Sequence, residues 1–152
     1  MVAERARPSS TVSSWVADRV REHVPEIVLR DYQEEALVAV AHATERRGLR
    51  RVMVVLPTGS GKSAIFSGLA HAWLKSEPGR VLVLAHRDEL ITQAVANLSM
   101  WLPRHLIGVV KAERNEVDAP AIVASIQTLA RPNRLAQIGR FGLVVYDEAH
   151  HI

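Results

Sequence analysis

Apolar runs too short to cross a membrane recur along this chain, and segments with helical periodicity stand between them. Residues 52–56 (Val-Met-Val-Val-Leu), 81–85 (Val-Leu-Val-Leu-Ala) and 143–146 (Leu-Val-Val-Tyr) each lack a polar face. A run of this kind suits a strand covered on both sides, the situation of a strand inside a parallel sheet. Strand and helix in alternation predict an α/β fold: a parallel sheet with helices on both faces. In such sheets ligands bind outside the carboxyl ends of the strands. The residues that follow each strand therefore carry the functional question: 57–63, 86–90, 125–129 and 147–151.

The helical segments obey the i, i+3, i+4, i+7 rule. Over 31–46 the stripe is Ala36, Leu37, Val40 and Ala43 or Thr44, with Gly48 as a stop. Over 63–74 it is Ile65, Phe66, Leu69 and Trp73, and over 88–101 it is Ile91, Ala94, Val95 and Leu98, continued by Leu102. Residues 107–110 and 121–124 read as short strands and 135–138 as a short helix or turn. Residues 1–14 are rich in Ser, Ala, Arg and Pro and read as a mobile tail. Ser14 would cap a short helix over 15–24, stopped by Pro25. The expected organisation is a tail and short helix over 1–28, then one α/β domain over 29–152. No repeat is present.

Composition sets outer limits. A chain of 152 residues and 16.8 kDa suits one domain. Hydrophobic residues at 48% and charged residues at 23% argue against disorder. With no cysteine, disulfides, zinc–thiolate sites, iron–sulfur clusters and a cysteine nucleophile are all excluded. A net charge of +3 permits a nucleic-acid partner without requiring one. Arg supplies all the basic residues except Lys62, Lys75 and Lys111, and Arg suits bidentate phosphate contacts. Base composition of the genome would produce the same bias. No run reaches ~18 apolar residues, and residues 8–14 are polar where a secretory segment would be apolar. The expectation is a cytoplasmic protein with no membrane partner.

The first strand leads into Pro57, Thr58, Gly59, Ser60, Gly61, Lys62 and Ser63 and then a helix. Gly59 and Gly61 allow a sharp turn and a close backbone approach. The loop N–H groups then face a phosphate at the positive end of the helix. Lys62 would neutralise the β and γ phosphates and the Ser63 hydroxyl would ligate Mg²⁺. The full pattern asks for Gly at position 56, where this chain has Leu56. The last strand delivers Asp147 and Glu148, followed by Ala149 and His150. Asp147 can hold the metal, and Glu148 can polarise an attacking water. Adjacent acids after a strand are weak evidence alone and strong evidence beside a phosphate loop.

Together these segments resemble the first motor domain of superfamily 2 DEAD/DEAH-box helicases, a RecA-like fold. The superfamily often lacks the first glycine of the loop. Leu29-Arg-Asp-Tyr-Gln33 resembles the adenine-reading motif, Leu84-Ala-His-Arg-Asp-Glu-Leu90 resembles motif Ia, and Ser125-Ile-Gln-Thr-Leu129 resembles the motif before the acidic strand. The nearest group contains type III restriction-enzyme helicase subunits and XPB-like and RadD-like helicases. The resemblance implies ATP and Mg²⁺ as cofactors, with Lys62, Asp147, Glu148 and His150 in catalysis. It also implies Gln33 on the adenine edge with Arg30 or Tyr32 nearby, and Arg87, Ser125, Gln127 and Thr128 on a nucleic-acid backbone. His150 would face a second RecA-like domain. The partner would be DNA, with RNA as the alternative. In the family, further motifs follow the acidic one, so the domain reads as truncated and the isolated chain as a poor catalyst.

Blander readings stand beside these. Arg87 could pair with Asp88 or Glu89, and Ser125 or Thr128 could cap the next turn. Tyr32 and Trp73 suit a core, and His86 and His151 lack a third ligand at metal spacing. A P-loop ATPase without a nucleic-acid substrate, or an inert folded fragment, remains the rival function.

Overall fold

The computed structural model describes residues 2–5, as backbone, and residues 27–147. The expected helix over 15–24, Glu148, His150 and His151 lie outside the described residues. Strand β1 is Val2–Arg5, helix α1 Asp31–Glu45, β2 Arg51–Met53 and α2 Lys62–Ser76. Then come β3 Val81–Ala85, α3 Asp88–Ser99, β4 Ile107–Lys111, β5 Arg114–Asn115 and β6 Ala121–Ser125. Two one-turn helices, α4 Ile126–Leu129 and α5 Arg134–Gln137, precede β7 Leu143–Tyr146.

One seven-stranded sheet runs in the order β2-β1-β7-β3-β6-β4-β5. β7, β3, β6 and β4 are mutually parallel. Leu84 is level with Tyr146 on one side and Ala124 on the other, and Ala124 is level with Val110. Asp147, His86, Ser125 and Lys111 therefore share one rim, the carboxyl ends of the strands.

Alternation along the central strands divides the core. Val81, Val83, Ala85, Val123 and Val145 face one side, where Leu37 of α1, Ile65, Phe66 and Leu69 of α2, and Ile91, Ala94 and Leu98 of α3 bury them. The predicted helical stripes are thus the ones packed on this face. Phe66, Leu37, Ile65 and Leu98 are almost wholly buried, and each such side chain contributes about 1.5–3 kcal/mol relative to exposure. Leu82, Leu84, Ile122 and Ala124 face the other side, with Leu129, Ile138 and Phe141. Among the described residues, only the short α4 and α5 cover that face. Beside them lies an apolar hollow of about 440 Å³, lined in part by Leu82, Leu84, Phe141, Val144 and Tyr146. The fold is the predicted α/β class, with its helical cover heavily weighted to one face.

Two expectations are corrected. The run over 52–56 was expected as a strand buried on both faces, yet β2 spans three residues and ends the sheet. Val52, Val54 and Leu56 pack inward, while Met53 is 66% and Val55 81% exposed. An apolar run records no neighbours, and a strand with a partner on one side and no helix over its outer face stays half in water. Residues 1–14 were expected as a mobile tail, yet Val2–Arg5 is a strand. It lies antiparallel between β2 and β7, with Ala3 opposite Val52 and Val145.

The amino end of the sheet is held by one cation. The Arg80 guanidinium donates to the carbonyls of Ile138 (2.8 Å), Ala119 (3.0 Å) and Val117, and lies 5.0 Å from the Phe141 ring centroid. The segments that lead into β6 and β7 are thereby tied to the start of β3. Close packing continues at Gly142, where an added Cβ would sit 2.6 Å from the Trp73 ring.

Candidate functional site

The phosphate loop takes its shape from α1. The Tyr32 hydroxyl donates to the Ser60 carbonyl at 2.7 Å. The Gln33 side-chain amide donates to the same carbonyl at 3.1 Å and to the Gly61 carbonyl at 3.4 Å. Gln33 Oε1 accepts from the Arg30 backbone N–H at 3.0 Å, and Arg30 donates to the Tyr32 hydroxyl at 3.2 Å. In a trans peptide the carbonyl and the next N–H point opposite ways. Two donors on the Ser60 carbonyl therefore turn the Gly61 N–H away from Tyr32 and Gln33 of α1.

Gly61 is the amino cap of α2 in a left-handed conformation, φ +74°. A Cβ there would also stand 2.5 Å from Gln33 Nε2. Backbone angle and close approach both require glycine. The loop closes with the Ser60 N–H on the Pro57 carbonyl (3.2 Å) and the Ala64 N–H on the Gly61 carbonyl (2.9 Å). Lys62 Nζ donates to the Leu56 carbonyl at 3.2 Å, which folds the cation back over the loop. The buried Ser60 hydroxyl has no hydrogen-bond partner among the described residues. Pro57, Thr58 and Gly59 are exposed, and Ser63 is half-buried in the first turn of a 15-residue helix. Loop N–H groups, a flexible ammonium, free hydroxyls and a helix amino end form a donor set that fits a polyphosphate. The Ser63 hydroxyl and the Asp147 carboxylate are hard oxygen ligands of the kind Mg²⁺ takes.

Asp147 follows β7 and is half-buried, with its N–H on the Leu84 carbonyl at 3.1 Å. Because β1 is antiparallel to both neighbours, β2 and β7 run the same way, with Met53 level with Tyr146. The phosphate loop and Asp147 thus emerge on one rim. Two strand spacings, about 10 Å, separate β2 from β7.

The expected nucleic-acid contacts divide. Arg87 is exposed, and among the described residues its side chain makes no hydrogen bond or ion pair; Asp88 is taken by Lys111 at 2.9 Å instead. Gln127 is exposed, and its amide donates to the His86 carbonyl at 2.7 Å. Ser125 and Thr128 are 5% and 4% exposed. The Ser125 hydroxyl caps α4 by accepting from the Thr128 N–H at 3.3 Å, and Thr128 Oγ1 accepts from the Ala112 N–H at 3.1 Å. Ser125 thus caps the turn, as the capping alternative has it, whereas Thr128 ties α4 to the residue after β4. Trp73 is buried, and Tyr32 braces the loop. That role of Tyr32 was not read from the sequence, where a lone tyrosine before a glutamine signals core or stacking equally well.

One carboxylate has a clear shift. Glu116 is held below the usual range, first by the hydrogen bond from Arg114, while desolvation opposes and the Val109 N–H assists. It belongs to the β4–β5 edge, where it pairs with Arg114 at 2.8 Å.

The family model for the type III restriction enzyme res subunit matches residues 26–152. The chain belongs to that family. This agrees with the superfamily 2 resemblance carried by the phosphate loop and the acidic strand. The chain is 39% identical over 132 residues to "Putative ATP-dependent helicase IRC3" of Saccharomyces cerevisiae, covering 82% of this chain and 19% of that protein. It is 30% identical over 108 residues to "ATP-dependent DNA helicase uvsW" of Enterobacteria phage T4, covering 66% and 21%. The chain therefore spans about a fifth of the length of these relatives. The crystal structure of the T4 UvsW helicase superposes with a TM-score of 0.63 at 23% identity, over 88% of this chain and 50% of that one. That likeness is one of fold. Among the described residues no helix is long and apolar enough to cross a membrane.

Proposed function

We propose that the chain is the nucleotide-binding motor lobe of an ATP-dependent helicase or translocase acting on DNA. The carrying observation is the shared rim: a phosphate loop braced from α1 and a metal-type carboxylate, delivered by strands that run the same way. The loop N–H groups and Lys62 hold the β and γ phosphates. Ser63 and Asp147 hold Mg²⁺, which supplies charge neutralisation at the phosphates when bound. Glu148 orients the water, and His150 relays the state of the site toward a second motor domain. Arg30 and the Tyr32–Gln33 pair place the adenine end of the nucleotide beside the loop. Nucleic acid is gripped at the same rim by Arg87 and the Gln127 amide, through the backbone and without base readout.

Titration calorimetry with Mg²⁺–ATP tests the first half, with Lys62→Ala as the control. Binding that Lys62→Ala leaves unchanged refutes the site. Binding of single-stranded DNA across a salt series tests the second. The logarithm of affinity should fall linearly with the logarithm of salt, and Arg87→Ala should reduce the slope by about 0.7, the contribution of one phosphate contact on a single strand. Salt-independent binding favours an ATPase without a nucleic-acid substrate.

A further inference from the structure

Lys111 ends β4 on the carboxyl rim and shares the sheet face of Ile107 and Val109, on which α3 packs. Its ammonium reaches the first turn of α3 and pairs with Asp88 at 2.9 Å. Asp88 therefore has a cation on either side: Arg87 before it in the chain and Lys111 across the rim. Both partners of the Lys111–Asp88 pair reach solvent, and such pairs are weak in water. A backbone phosphate offers the same charge and the same kind of acceptor oxygen as the carboxylate. The ammonium can pass from one to the other with little change in its own bonding.

The ammonium moves on a fixed base. Lys111 pairs with Arg114, so Ala112 and Glu113 form a two-residue hairpin loop. Such loops call for positive φ and usually take Gly or Asn. Here Ala112 holds φ +48°, and an alanine stays there only where its surroundings fix it. Two groups do so. Thr128 Oγ1 accepts from the Ala112 N–H at 3.1 Å, and the Arg134 guanidinium donates to the Ala112 carbonyl at 2.9 Å. Thr128, buried where a nucleic-acid contact was expected, thus fixes the residue beside Lys111. β3, which leads to Arg87, and β4 lie either side of β6, about 10 Å apart. At a rise of about 3.4 Å per nucleotide, about three nucleotides of one strand cover that distance.

We infer that Lys111 is a second backbone contact on this rim and that Asp88 is its internal competitor, holding the ammonium until a phosphate takes it. Thr128 and Arg134 are positioning residues for Lys111, acting through Ala112. The inference rests on the nucleic-acid reading above.

Fluorescence anisotropy of a labelled oligothymidylate across a salt series tests it on the whole chain, with circular dichroism to show each variant folded. Lys111→Gln should reduce the slope of log affinity against log salt by about 0.7, the loss of one phosphate contact on a single strand. Asp88→Asn should raise affinity about 2–5-fold, the worth of the exposed pair that it abolishes. That gain should disappear in the Lys111→Gln background. An equal gain in both backgrounds makes Asp88 a general repulsive charge and overturns the competition. Thr128→Val should weaken binding in the intact chain and add nothing beside Lys111→Gln; Arg134→Met, on the exposed side of the same turn, makes the same test if Thr128→Val does not fold. Equal weakening in both backgrounds overturns the positioning role. If Arg87→Ala lowers the salt slope and Lys111→Gln does not, the nucleic-acid reading stands and the inference falls. If the intact chain binds no oligothymidylate, that reading fails and takes the inference with it.

Discussion

Gln33→Ala isolates the brace that shapes the phosphate loop. The Gln33 side chain is 6% exposed, accepts from the Arg30 N–H at 3.0 Å and donates to the Ser60 carbonyl at 3.1 Å. Each well-formed bond contributes about 1 kcal/mol net; the 3.4 Å contact with the Gly61 carbonyl adds little. The substitution should cost about 2 kcal/mol from these two bonds, with a further cost from the space left behind. For a domain of this size that is a melting-point loss of about 4–8 °C. Differential scanning calorimetry measures it directly. The Ser60 carbonyl keeps its Tyr32 donor in Gln33→Ala and its Gln33 donor in Tyr32→Phe. Only the double variant leaves it bare. The double variant should therefore lose more than the sum of the singles, by about 0.5–3 kcal/mol. Gln33→Glu keeps an acceptor for the Arg30 N–H but sets a carboxylate against two carbonyls, so it should weaken nucleotide binding more than Gln33→Ala does. A melting point within ~1 °C of wild type for Gln33→Ala, with additive singles, would refute the bracing argument.

Arg80→Met removes the donor shared by the carbonyls of Val117, Ala119 and Ile138 and should cost about 2–3 kcal/mol in urea unfolding, with nucleotide affinity unchanged. Gly61→Ala must hold an alanine at φ +74° and displace Gln33; the backbone alone costs about 1–2 kcal/mol, and calorimetry should show nucleotide affinity falling with it. Glu116 has a lowered native pKa, so its pairing stabilises the fold above the unfolded value and is lost as pH falls through the native one. Below about pH 4.5, Glu116→Gln should therefore lose less stability than wild type in acid unfolding followed by circular dichroism.

Much of this was legible in the sequence. The helical stripes of α1, α2 and α3 are the buried ones, and the loop and the acidic strand announce themselves by residue type and spacing. β1 was not legible, because Val-Ala-Glu-Arg carries no period and owes its pairing to strands about 50 and 140 residues away. The exposure of Met53 and Val55 was hidden for the same reason: burial belongs to neighbours, and a run of apolar letters does not name them. Position 33 could be marked as functional, but not the two carbonyls its amide would hold. At Ser125 and Thr128 a hydroxyl after a strand fits a phosphate contact and a helix cap equally well, and only their burial separates the two.

Arg80 and Gln33 brace opposite ends of the same sheet, about five residues or ~17 Å apart along the strands. Perturbations that far apart, with no shared partner, usually add. The stability lost on removing Arg80 and that lost on removing Gln33 should therefore sum, and of the two only the Gln33 end also reaches the nucleotide loop. Robustness can thus be tuned from the amino edge without entering the loop, whereas a change made at the loop has to be screened for robustness as well as for binding.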